Sequence, residues 1–399
     1  MDIAIIGKIF LIVIFIFIVF NVFLSERKNL KTYEKAMDTL KHITNDVKKS
    51  IEYSNKRHLK NRNLILNEQI NFQSIKLNYK VLNNIEIKNL NRINIFAGIN
   101  NSGKTSLLEA TFLLTKMNDI YYFFDVWQNR LNKSCKNFTV LNKEFKSDIK
   151  IEANINDKNL SLDINKYEIK DKKFNKEKYL NSFKIDSKFD TTHLNTNANI
   201  FDKEDNQINY EEMKHLCNSN FSIYTDTKHL KHYYEESIKK KSFSKIIDFL
   251  KEKVDKNIVD IKLVDDNSFL VIHNKFDEAV HLTQFGEGLQ RIFYIALQFS
   301  ASNNGVILID ELENGIHYKL LVDFASFIKD LSREFNVQVF ITSHSKECIN
   351  AFFEDKKDLD KISAYTLVKD EKSIKCKYIN GEKLSRLIES IDADLRGAK

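Results

Sequence analysis

The chain has 399 residues, of which 43% are hydrophobic and 29% are charged; this is the composition of a folded protein with a substantial core, and it excludes an intrinsically disordered chain. The net charge of +7 permits a nucleic-acid or anionic-lipid partner, but over this length it indicates neither. The four cysteines are far apart and follow neither a CxxC nor a disulfide-dense pattern, so we expect reduced thiols and no structural zinc.

An apolar run opens the chain. Residues 9–20 (IFLIVIFIFIVF) are apolar without interruption, and only three residues interrupt the wider stretch 3–24. Because a helix rises about 1.5 Å per residue, this stretch covers roughly 33 Å, and a hydrocarbon core is about 30 Å thick. A cleaved signal peptide would need small residues at a cleavage site, which residues 25–28 do not offer, and a buried core helix is rarely so uniformly Ile and Phe. We therefore expect residues 1–24 to form a transmembrane anchor.

Charges beside this segment predict its orientation. Arg27 and Lys28 follow it, whereas only Lys8 and the amino terminus precede it. Positive residues stay on the cytoplasmic side, so we expect a single-pass protein of the cell inner membrane with its C-terminal body in the cytoplasm. Between residues 30 and 51, apolar residues recur at spacings of three and four, which predicts a helix within residues 25–62. This helix either packs on the body or forms a short dimeric stalk, since fewer than four heptads do not establish a coiled coil.

A glycine-rich loop between a strand and a helix is the first chemical motif. Residues 93–97 (INIFA) have the pattern of a buried strand and run into residues 98–105 (GINNSGKT), after which a helical pattern begins. In such a loop, backbone N–H groups face phosphate oxygens at a helix N-terminus, where the helix dipole also favours negative charge. Lys104 is predicted to reach the β- and γ-phosphates, and Thr105 to supply a hydroxyl to Mg²⁺. The residues predicted to bind ATP in this loop are Gly98, Asn100, Asn101, Ser102, Gly103, Lys104, Thr105 and Ser106.

The middle of the chain shows both strand and helix patterns. Apolar residues alternate over 149–155 and 160–164 around an Asn-Asp turn, which predicts a β-hairpin, and a second hairpin is predicted over 261–271. Residues 171–206 are rich in Lys, Asn and Asp and are predicted to form a mobile surface loop. Residues 208–256 are predicted to be helical. Their histidines and tyrosines among lysines permit nucleic-acid binding, but a solvated helical insert is the simpler interpretation.

A second glycine motif begins a later helix. Residues 284–291 (QFGEGLQR) place Gly286 and Gly288 at the start of a helical pattern. Two glycines at a helix N-terminus form another anion-binding surface. That surface is redundant if the first loop already holds the phosphates. We therefore predict that Gly286 and Gly288 contact the γ-phosphate of an ATP molecule held by a second subunit.

An acidic pair follows a buried strand. Residues 306–309 (VILI) form a continuous apolar run of the kind found in parallel strands, and ligands bind at the carboxyl ends of such strands. Asp310 is placed to hold Mg²⁺, directly or through water, and Glu311 to orient or deprotonate the attacking water. A third apolar run, VQVFI, ends in TSHS. We predict that the histidine of this motif, His344, senses the γ-phosphate during catalysis.

The order of these motifs resembles that of an ABC-type ATPase head. GINNSGKT is followed by FGEG, by LIDE some 24 residues later, and by TSHS, whose histidine lies 34 residues beyond Asp310. The segments INFQSIK and DELENGIH are similar to sequence motifs of the prokaryotic subgroup related to SMC proteins and to overcoming-lysogenization-defect ATPases. The resemblance covers residues 64–116 and 258–385. AAA+ proteins and helicases are disfavoured, because the 206 residues between Lys104 and Asp310 exceed the spacing in those classes.

This resemblance implies a site shared between two subunits. The residues that one subunit would contribute are Lys104, Thr105, Asp310, Glu311 and His344. Gly286 and Gly288 would complete the site of the partner. QFGEG stands in place of the LSGGQ signature motif of transporter ATPases, which disfavours the ATPase subunit of a transporter. No residue is assigned to the Q-loop, for which Gln128 is only a candidate. Overcoming-lysogenization-defect proteins carry a nuclease domain after the ATPase, and the 55 residues after His344 are too few for one.

We therefore predict an α/β protein: an ABC-type P-loop head with a mixed sheet, an antiparallel β-subdomain containing both hairpins, a helical insert and one N-terminal transmembrane helix. The predicted segments are an anchor (1–24), a helical stalk (25–62), the first part of the head (63–116), a hairpin and helical insert (117–257) and the second part of the head (258–399). The expected function is slow hydrolysis of ATP with Mg²⁺, coupled to formation of a homodimer or higher oligomer. This switch would serve bacterial anti-phage defence or DNA surveillance through a separate effector protein. A non-catalytic ATP-binding scaffold of a membrane complex is the alternative.

Overall fold

The computed structural model describes residues 63–130, 145, 147–168, 179–201, 207–223, 229–370 and 373–397. The predicted anchor (1–24) and stalk helix (25–62) lie outside these residues. Within the described ranges, every helix is too short or too polar to cross a lipid bilayer.

A six-stranded mixed sheet forms the centre of the described part. In spatial order its strands are β16 (Ile374–Asn380), β15 (Ile362–Lys369), β3 (Ile93–Ala97), β14 (Gln338–Ser343), β13 (Val306–Ile309) and β9 (Ser219–Ser222). The strands from β15 to β9 are parallel, and β16 is antiparallel to β15. β3, β13 and β14 are buried along their whole length, as expected for central parallel strands, which confirms the three predicted apolar strands. Their carboxyl ends bring three motifs to one edge of the sheet.

Eight helices of the described part accompany these strands. They are α1 (Lys104–Lys116), α2 (Ile120–Arg130), α3 (Leu230–Lys239), α4 (Phe243–Lys253), α5 (Glu287–Ala301), α6 (Tyr318–Glu334), α7 (Lys346–Ala351) and α8 (Gly381–Ile391). Ile93 and Ile95 of β3 belong to one hydrophobic core with α5 and α6. The alternate residue Phe96 faces the other side of the sheet, because side chains alternate along a strand, and its ring stacks on Tyr365 at 4.8 Å and on Phe340 at 6.3 Å.

A second sheet is entirely antiparallel. In spatial order its strands are β2 (Leu82–Lys88), β1 (Phe72–Tyr79), β4 (Ile149–Ile155), β5 (Lys158–Tyr167), β6 (Tyr179–Phe189), β7 (Thr192–Phe201) and β8 (Gln207–Tyr210). It contains the predicted hairpin β4–β5, whose turn residues Asn156 and Asp157 both have left-handed backbone angles, as two-residue hairpin turns prefer. Because β1 pairs with β4, this sheet joins chain segments on both sides of residue 117.

Two predictions for the middle of the chain are wrong. Residues 179–201, within the predicted surface loop 171–206, form the hairpin β6–β7. Only alternate side chains of these strands face the core, as Phe183 and Ile185 do, and the polar residues between them give the segment the composition of a loop. In the predicted helical stretch 208–256, α3 and α4 are confirmed, but β8 and β9 are short strands with few apolar residues.

The second predicted hairpin belongs to a third sheet, not to the antiparallel sheet that holds the first hairpin. β10 (Ile258–Asp265), β11 (Ser268–His273) and β12 (Val280–His281) form a three-stranded antiparallel sheet. Phe269 of β11 meets Phe293 of α5 edge to face, with 5.0 Å between ring centroids. This sheet therefore packs on the helix that the GEG motif begins.

A buried amide links the two large sheets. Gln338, 3% exposed at the start of β14, accepts a hydrogen bond from the Phe72 N–H at 2.7 Å. Its Nε2 donates to the carbonyls of Phe72 (2.9 Å) and Asn91 (2.8 Å). The Gln338 side chain thus pairs with the N–H and carbonyl of Phe72 as the backbone of a neighbouring strand would. Burying an amide costs little when its donors and acceptors are satisfied in this way.

Candidate functional site

The predicted phosphate loop lies between the end of β3 and the start of α1. Gly103 caps α1 with a φ of 92°, in the region that favours glycine. A Cβ on Gly103 would lie 2.5 Å from Leu82 Cδ2, and one on Gly98 would lie 2.7 Å from the hydroxyl of Ser102. The tight curve of the loop therefore requires glycine at both positions.

The side chain of Lys104 points into this loop. Its Nζ donates to the carbonyls of Gly98 at 2.8 Å and Ile99 at 2.9 Å. Burial lowers the pKa of Lys104, and the negative charges of Glu311 and Asp310 oppose that change. A phosphate group entering the loop would offer the ammonium charged acceptors in place of neutral carbonyls, which is a stronger contact. The arrangement fits a nucleotide phosphate.

Asp310 connects the phosphate loop to the TSHS motif. Its carboxylate accepts hydrogen bonds from Thr105 Oγ1 at 2.9 Å and from Thr342 Oγ1 at 2.6 Å. Burial raises the pKa of Asp310; the two hydroxyl groups oppose this change, and the nearby carboxylates of Glu311 and Glu109 add to it. A buried carboxylate whose charge is only partly compensated attracts a cation.

The oxygens around Asp310 fit Mg²⁺. Hydroxyl and carboxylate oxygens are the ligands that this ion prefers, and it takes few protein ligands, leaving the rest to water and phosphate. Neighbouring ligands of an octahedral Mg²⁺ lie roughly 2.9 Å apart, given bonds of about 2.0–2.1 Å. Thr105 Oγ1 and Asp310 Oδ2 are 2.9 Å apart. The two predicted magnesium ligands are therefore placed where one ion could bind both.

Glu311 has an unusual backbone conformation that its neighbours hold. Its φ is 49°, in the left-handed region that residues other than glycine rarely adopt. Arg291 of α5 donates through Nη2 to the carbonyls of Asp310 (2.7 Å) and Glu311 (2.8 Å). The Glu311 N–H donates to Thr342 Oγ1 at 2.9 Å, and Asn314 Nδ2 donates to the Glu311 carboxylate at 2.7 Å. Strained residues that their surroundings hold in place cluster at functional sites, which agrees with the predicted role of Glu311.

His344 follows β14 and contacts the acidic turn through Glu313. Its Nδ1 lies 3.0 Å from Glu313 Oε1. The same oxygen accepts hydrogen bonds from the backbone N–H groups of His344 (2.7 Å) and Ser345 (3.1 Å). Arg396 Nη1 donates to the His344 carbonyl at 3.2 Å. The His344 side chain is 43% exposed, so its ring can meet a ligand on the side away from Glu313.

The GEG loop lies at the N-terminus of α5. Gly286 is the N-cap; no side chain caps this end of the helix, and a Cβ on Gly286 would meet no atom within 4 Å. A Cβ on Gly288, by contrast, would lie 2.6 Å from the carbonyl oxygen of Gly315. Packing within the chain therefore requires glycine at position 288. The sequence alone does not reveal this requirement. Glu287 also adjoins Gly315, so the GEG loop contacts the turn that follows the acidic pair.

The structure brings most of the predicted site residues together at the carboxyl ends of β3, β13 and β14. Their catalytic roles stay predictions. The Q-loop candidate Gln128 lies in α2, and its side chain is outside the described part of the chain. Four residues with contacts in the site were given no role by the sequence: Arg291, Glu313, Asn314 and Thr342. Each stands inside a recognised motif, but the hydrogen bonds that involve it are visible only in the folded chain.

Comparisons with known proteins agree with this geometry. The model of a family described as "AAA domain, putative AbiEii toxin, Type IV TA system" matches residues 93–350. A protein of Helicobacter pylori named ATP/GTP phosphatase is 25% identical over 368 residues, covering 80% of this chain and 98% of the relative. An uncharacterized protein of Methanocaldococcus jannaschii is 31% identical over 114 residues, covering 28% of this chain and 99% of the relative.

Solved structures similar to this chain include SMC head domains. One, bound to the C-winged helix domain of ScpA, has a TM-score of 0.44 and 11% identity, covering 79% of this chain and 99% of that chain. Another, derived from Pyrococcus furiosus and carrying an extended coiled coil, has a TM-score of 0.42 and 10% identity, covering 82% of this chain and 100% of that chain. The match to the AAA-domain family spans well over half of the chain and contains the phosphate loop, the GEG loop, the acidic pair and His344. The chain therefore belongs to the AAA-domain family described as putative AbiEii toxin, Type IV TA system, and it is a P-loop ATPase.

Proposed function

We propose that the protein is a membrane-tethered ATPase in which two copies join through their heads, so that the GEG loop of each completes the nucleotide site of the other. The observation that carries this proposal is the N-terminus of α5, where Gly286 is the N-cap, no side chain caps the helix and the space beside Gly286 is open. The first N–H groups of a helix lack intrahelical acceptors and attract anions. A phosphate held by another copy is the anion that fits this surface.

Within one copy, each site residue has a distinct task. Lys104 binds the β- and γ-phosphates. Thr105 and Asp310 would hold Mg²⁺, which neutralises charge on the phosphate oxygens when bound. Glu311 orients the attacking water once its carboxylate leaves Asn314. His344 donates to the γ-phosphate through the ring nitrogen that faces away from Glu313.

The cellular context of the proposal comes from the N-terminal segment and the relatives. The apolar residues 1–24 support a tether to the inner membrane with the body in the cytoplasm, where ATP is available. The proposed role is anti-phage defence or DNA surveillance through a separate effector protein. The family description names a putative toxin and a toxin–antitoxin system, which supports a toxin-related role. The name of the Helicobacter pylori relative supports triphosphate hydrolysis and adds GTP as a second substrate.

A mixing experiment tests the shared site. Lys104→Ala removes a charge-assisted phosphate contact, and we expect MgATP affinity to fall about 10- to 100-fold, corresponding to roughly 1.5–3 kcal/mol. Gly286→Trp fills the open space at the α5 N-terminus, and its backbone angles (φ −56°, ψ 150°) suit any residue. This variant should bind MgATP as the wild type does, but should neither dimerise nor hydrolyse ATP. Each variant alone should be inactive.

A mixture of the two variants should regain hydrolysis. In a mixed dimer, one site combines the phosphate loop of the Gly286 variant with the GEG loop of the Lys104 variant, and both are intact. Turnover should reach up to half of the wild-type value per mixed dimer if the two sites act independently. Normal hydrolysis by a monomeric Gly286→Trp variant would show that the site does not need a second copy.

A non-catalytic scaffold is the second candidate function. The observation that favours it is the 2.7 Å hydrogen bond between Asn314 and the Glu311 carboxylate, since this bond occupies the group that should activate water. A scaffold would bind MgATP and dimerise without measurable turnover. Glu311→Gln separates the two functions: an ATPase should become trapped as a nucleotide-bound dimer by this change, whereas a scaffold should behave as the unchanged protein does.

A further inference from the structure

We propose that Glu313 is a positioning residue for His344, fixing the sensor histidine so that its Nε2 faces the γ-phosphate. The proposal rests on the proposed function, in which His344 contacts that phosphate. The sequence offered no role for this glutamate, which stands three residues after Asp310. It is distinct from Glu311, whose carboxylate is bonded to Asn314.

Three contacts converge on one oxygen of Glu313. Oε1 accepts from the N–H groups of His344 (2.7 Å) and Ser345 (3.1 Å), and it lies 3.0 Å from His344 Nδ1. The two backbone bonds fix the start of the segment that follows β14. The third contact brings the carboxylate to the Nδ1 side of the imidazole without hydrogen-bond geometry. Glu313 therefore contacts both the backbone and the ring of His344.

Burial makes the imidazole an important partner for this carboxylate. The Glu313 side chain is 9% exposed, and its Oε2 accepts no hydrogen bond from the residues that the structure describes. A buried carboxylate is costly unless it is paired and hydrogen-bonded. His344 Nδ1 is also buried, and it has no hydrogen-bond partner of good geometry within the described ranges. A small rotation of the ring would let Nδ1–H donate to Glu313 and satisfy both groups.

Such a rotation is what nucleotide binding would produce. Catalytic hydrogen bonds are often long or poorly aligned before the ligand is bound and tighten in the complex. A carboxylate that accepts from Nδ1–H keeps that nitrogen protonated, and His344 then donates to a phosphate oxygen through Nε2–H when the ring carries both protons. Arg396, which donates to the His344 carbonyl at 3.2 Å, holds the other side of the segment while the ring turns.

A double-mutant cycle tests the proposal. Glu313→Gln keeps the length of the side chain and removes its charge, whereas Glu313→Asp keeps the charge and shortens the reach. We expect the kcat for ATP to fall about tenfold or more in both, with KM within about threefold of the wild type, because a positioning partner acts on the chemical step. In a His344→Ala background, neither change should lower kcat further. Glu347→Gln is the matched control, since Glu347 is an exposed acid three residues after His344 and its carboxylate accepts from the Ser345 hydroxyl at 2.7 Å.

Each outcome has a defined meaning. Losses that persist undiminished in the His344→Ala background would show that Glu313 acts independently of the histidine and would overturn the proposal. Wild-type kcat in both Glu313 variants, or in His344→Ala itself, would also overturn it. Melting temperatures of the variants identify any loss that comes from unfolding. Absence of turnover in the wild-type protein would instead refute the proposed ATPase function.

Discussion

Asp310 shows how a predicted metal ligand can oppose the stability of the fold that holds it. Burial raises its pKa, and the nearby carboxylates of Glu311 and Glu109 act in the same direction. A carboxyl group whose pKa is raised in the folded state contributes stability below its unfolded pKa, and this contribution is lost as the pH rises through the folded value. At neutral pH the ionised Asp310 therefore costs stability until a cation reaches it.

Replacing Asp310 by asparagine should separate these two effects. The amide keeps an acceptor for Thr342 and removes the buried charge, so Asp310→Asn should raise the melting temperature of the nucleotide-free protein at pH 7. The gain should shrink as the pH falls through the raised pKa of Asp310, where the carboxyl group becomes protonated in the folded protein. ATP turnover with Mg²⁺ should fall roughly 100-fold or more, because a metal ligand is lost. Asp277→Asn, at an exposed acid, is the control for both measurements.

A lower melting temperature for Asp310→Asn at neutral pH, with normal folding of the Asp277 control, would contradict this account of the site. It would mean that the hydrogen bonds from Thr105 and Thr342 compensate the ionised carboxylate fully. The pH series distinguishes that result from a general loss of packing, because a packing defect would not depend on the protonation of one carboxyl group.

The site residues that could be predicted from the sequence are those whose role depends on local geometry. Lys104 and Thr105 follow from a loop whose backbone conformation is encoded within eight residues, and Asp310 from the end of an apolar strand. Thr342 and Glu313 could not be assigned in this way. Thr342 bonds to Asp310 32 positions away, and Glu313 to the backbone of His344 31 positions away, so these partners are known only once β13 and β14 lie side by side.

Among the elements, the helix α5 joins the two halves of the proposed site. Its first turn contains the GEG loop, and Arg291 one turn later holds the carbonyls of the acidic turn. Gly288 contacts Gly315 from the same helix end. A displacement of the α5 N-terminus by a second copy would therefore be transmitted to the turn that carries Glu311. The two glycines of the loop differ in what they contact, and this difference can be measured.

We predict that alanine lowers the melting temperature at one of these two glycines and leaves it unchanged at the other. Gly288→Ala would place a methyl group 2.6 Å from the Gly315 carbonyl oxygen, and overpacking of this kind costs about 1–3 kcal/mol, so its melting temperature should drop by several degrees. Gly286→Ala should leave the melting temperature unchanged, because its methyl group meets open space. Thermal unfolding of the nucleotide-free protein checks both. Equal destabilisation by the two changes would show that the GEG loop packs differently.

Prediction of elements from the sequence succeeded where apolar periodicity was strong. The continuous run of β13 and the alternation of β4 and β5 were recognised for this reason. The hairpin β6–β7 was not, because residues such as Ser187 and Thr196 are fully buried in it, and buried Ser and Thr do not register as an apolar face. β9 was missed because a four-residue edge strand that begins and ends with serine carries almost no pattern.

At the scale of the whole molecule, we propose that the N-terminal segment determines where the ATPase acts. We predict that deleting residues 1–24 moves the protein from the membrane fraction to the soluble fraction, since the deleted stretch carries the apolar run. Cell fractionation followed by carbonate extraction provides the measurement. The full-length Lys104→Ala variant should remain in the membrane, which shows that nucleotide binding is not what retains it. Carbonate-resistant membrane association of the deletion variant would place the anchor elsewhere.

The amide of Gln338 has a consequence for how the described part of the molecule unfolds. The Gln338 side chain, on β14 of the central sheet, forms two hydrogen bonds with the Phe72 backbone on β1 of the antiparallel sheet. The two strands cannot separate at that point without breaking these bonds. Fluctuations that expose the Phe72 amide to solvent must then also disturb the strand that leads to His344. The two sheets are in this sense one cooperative unit, and we expect the ordering of His344 to depend on the integrity of a strand far from it in the sequence.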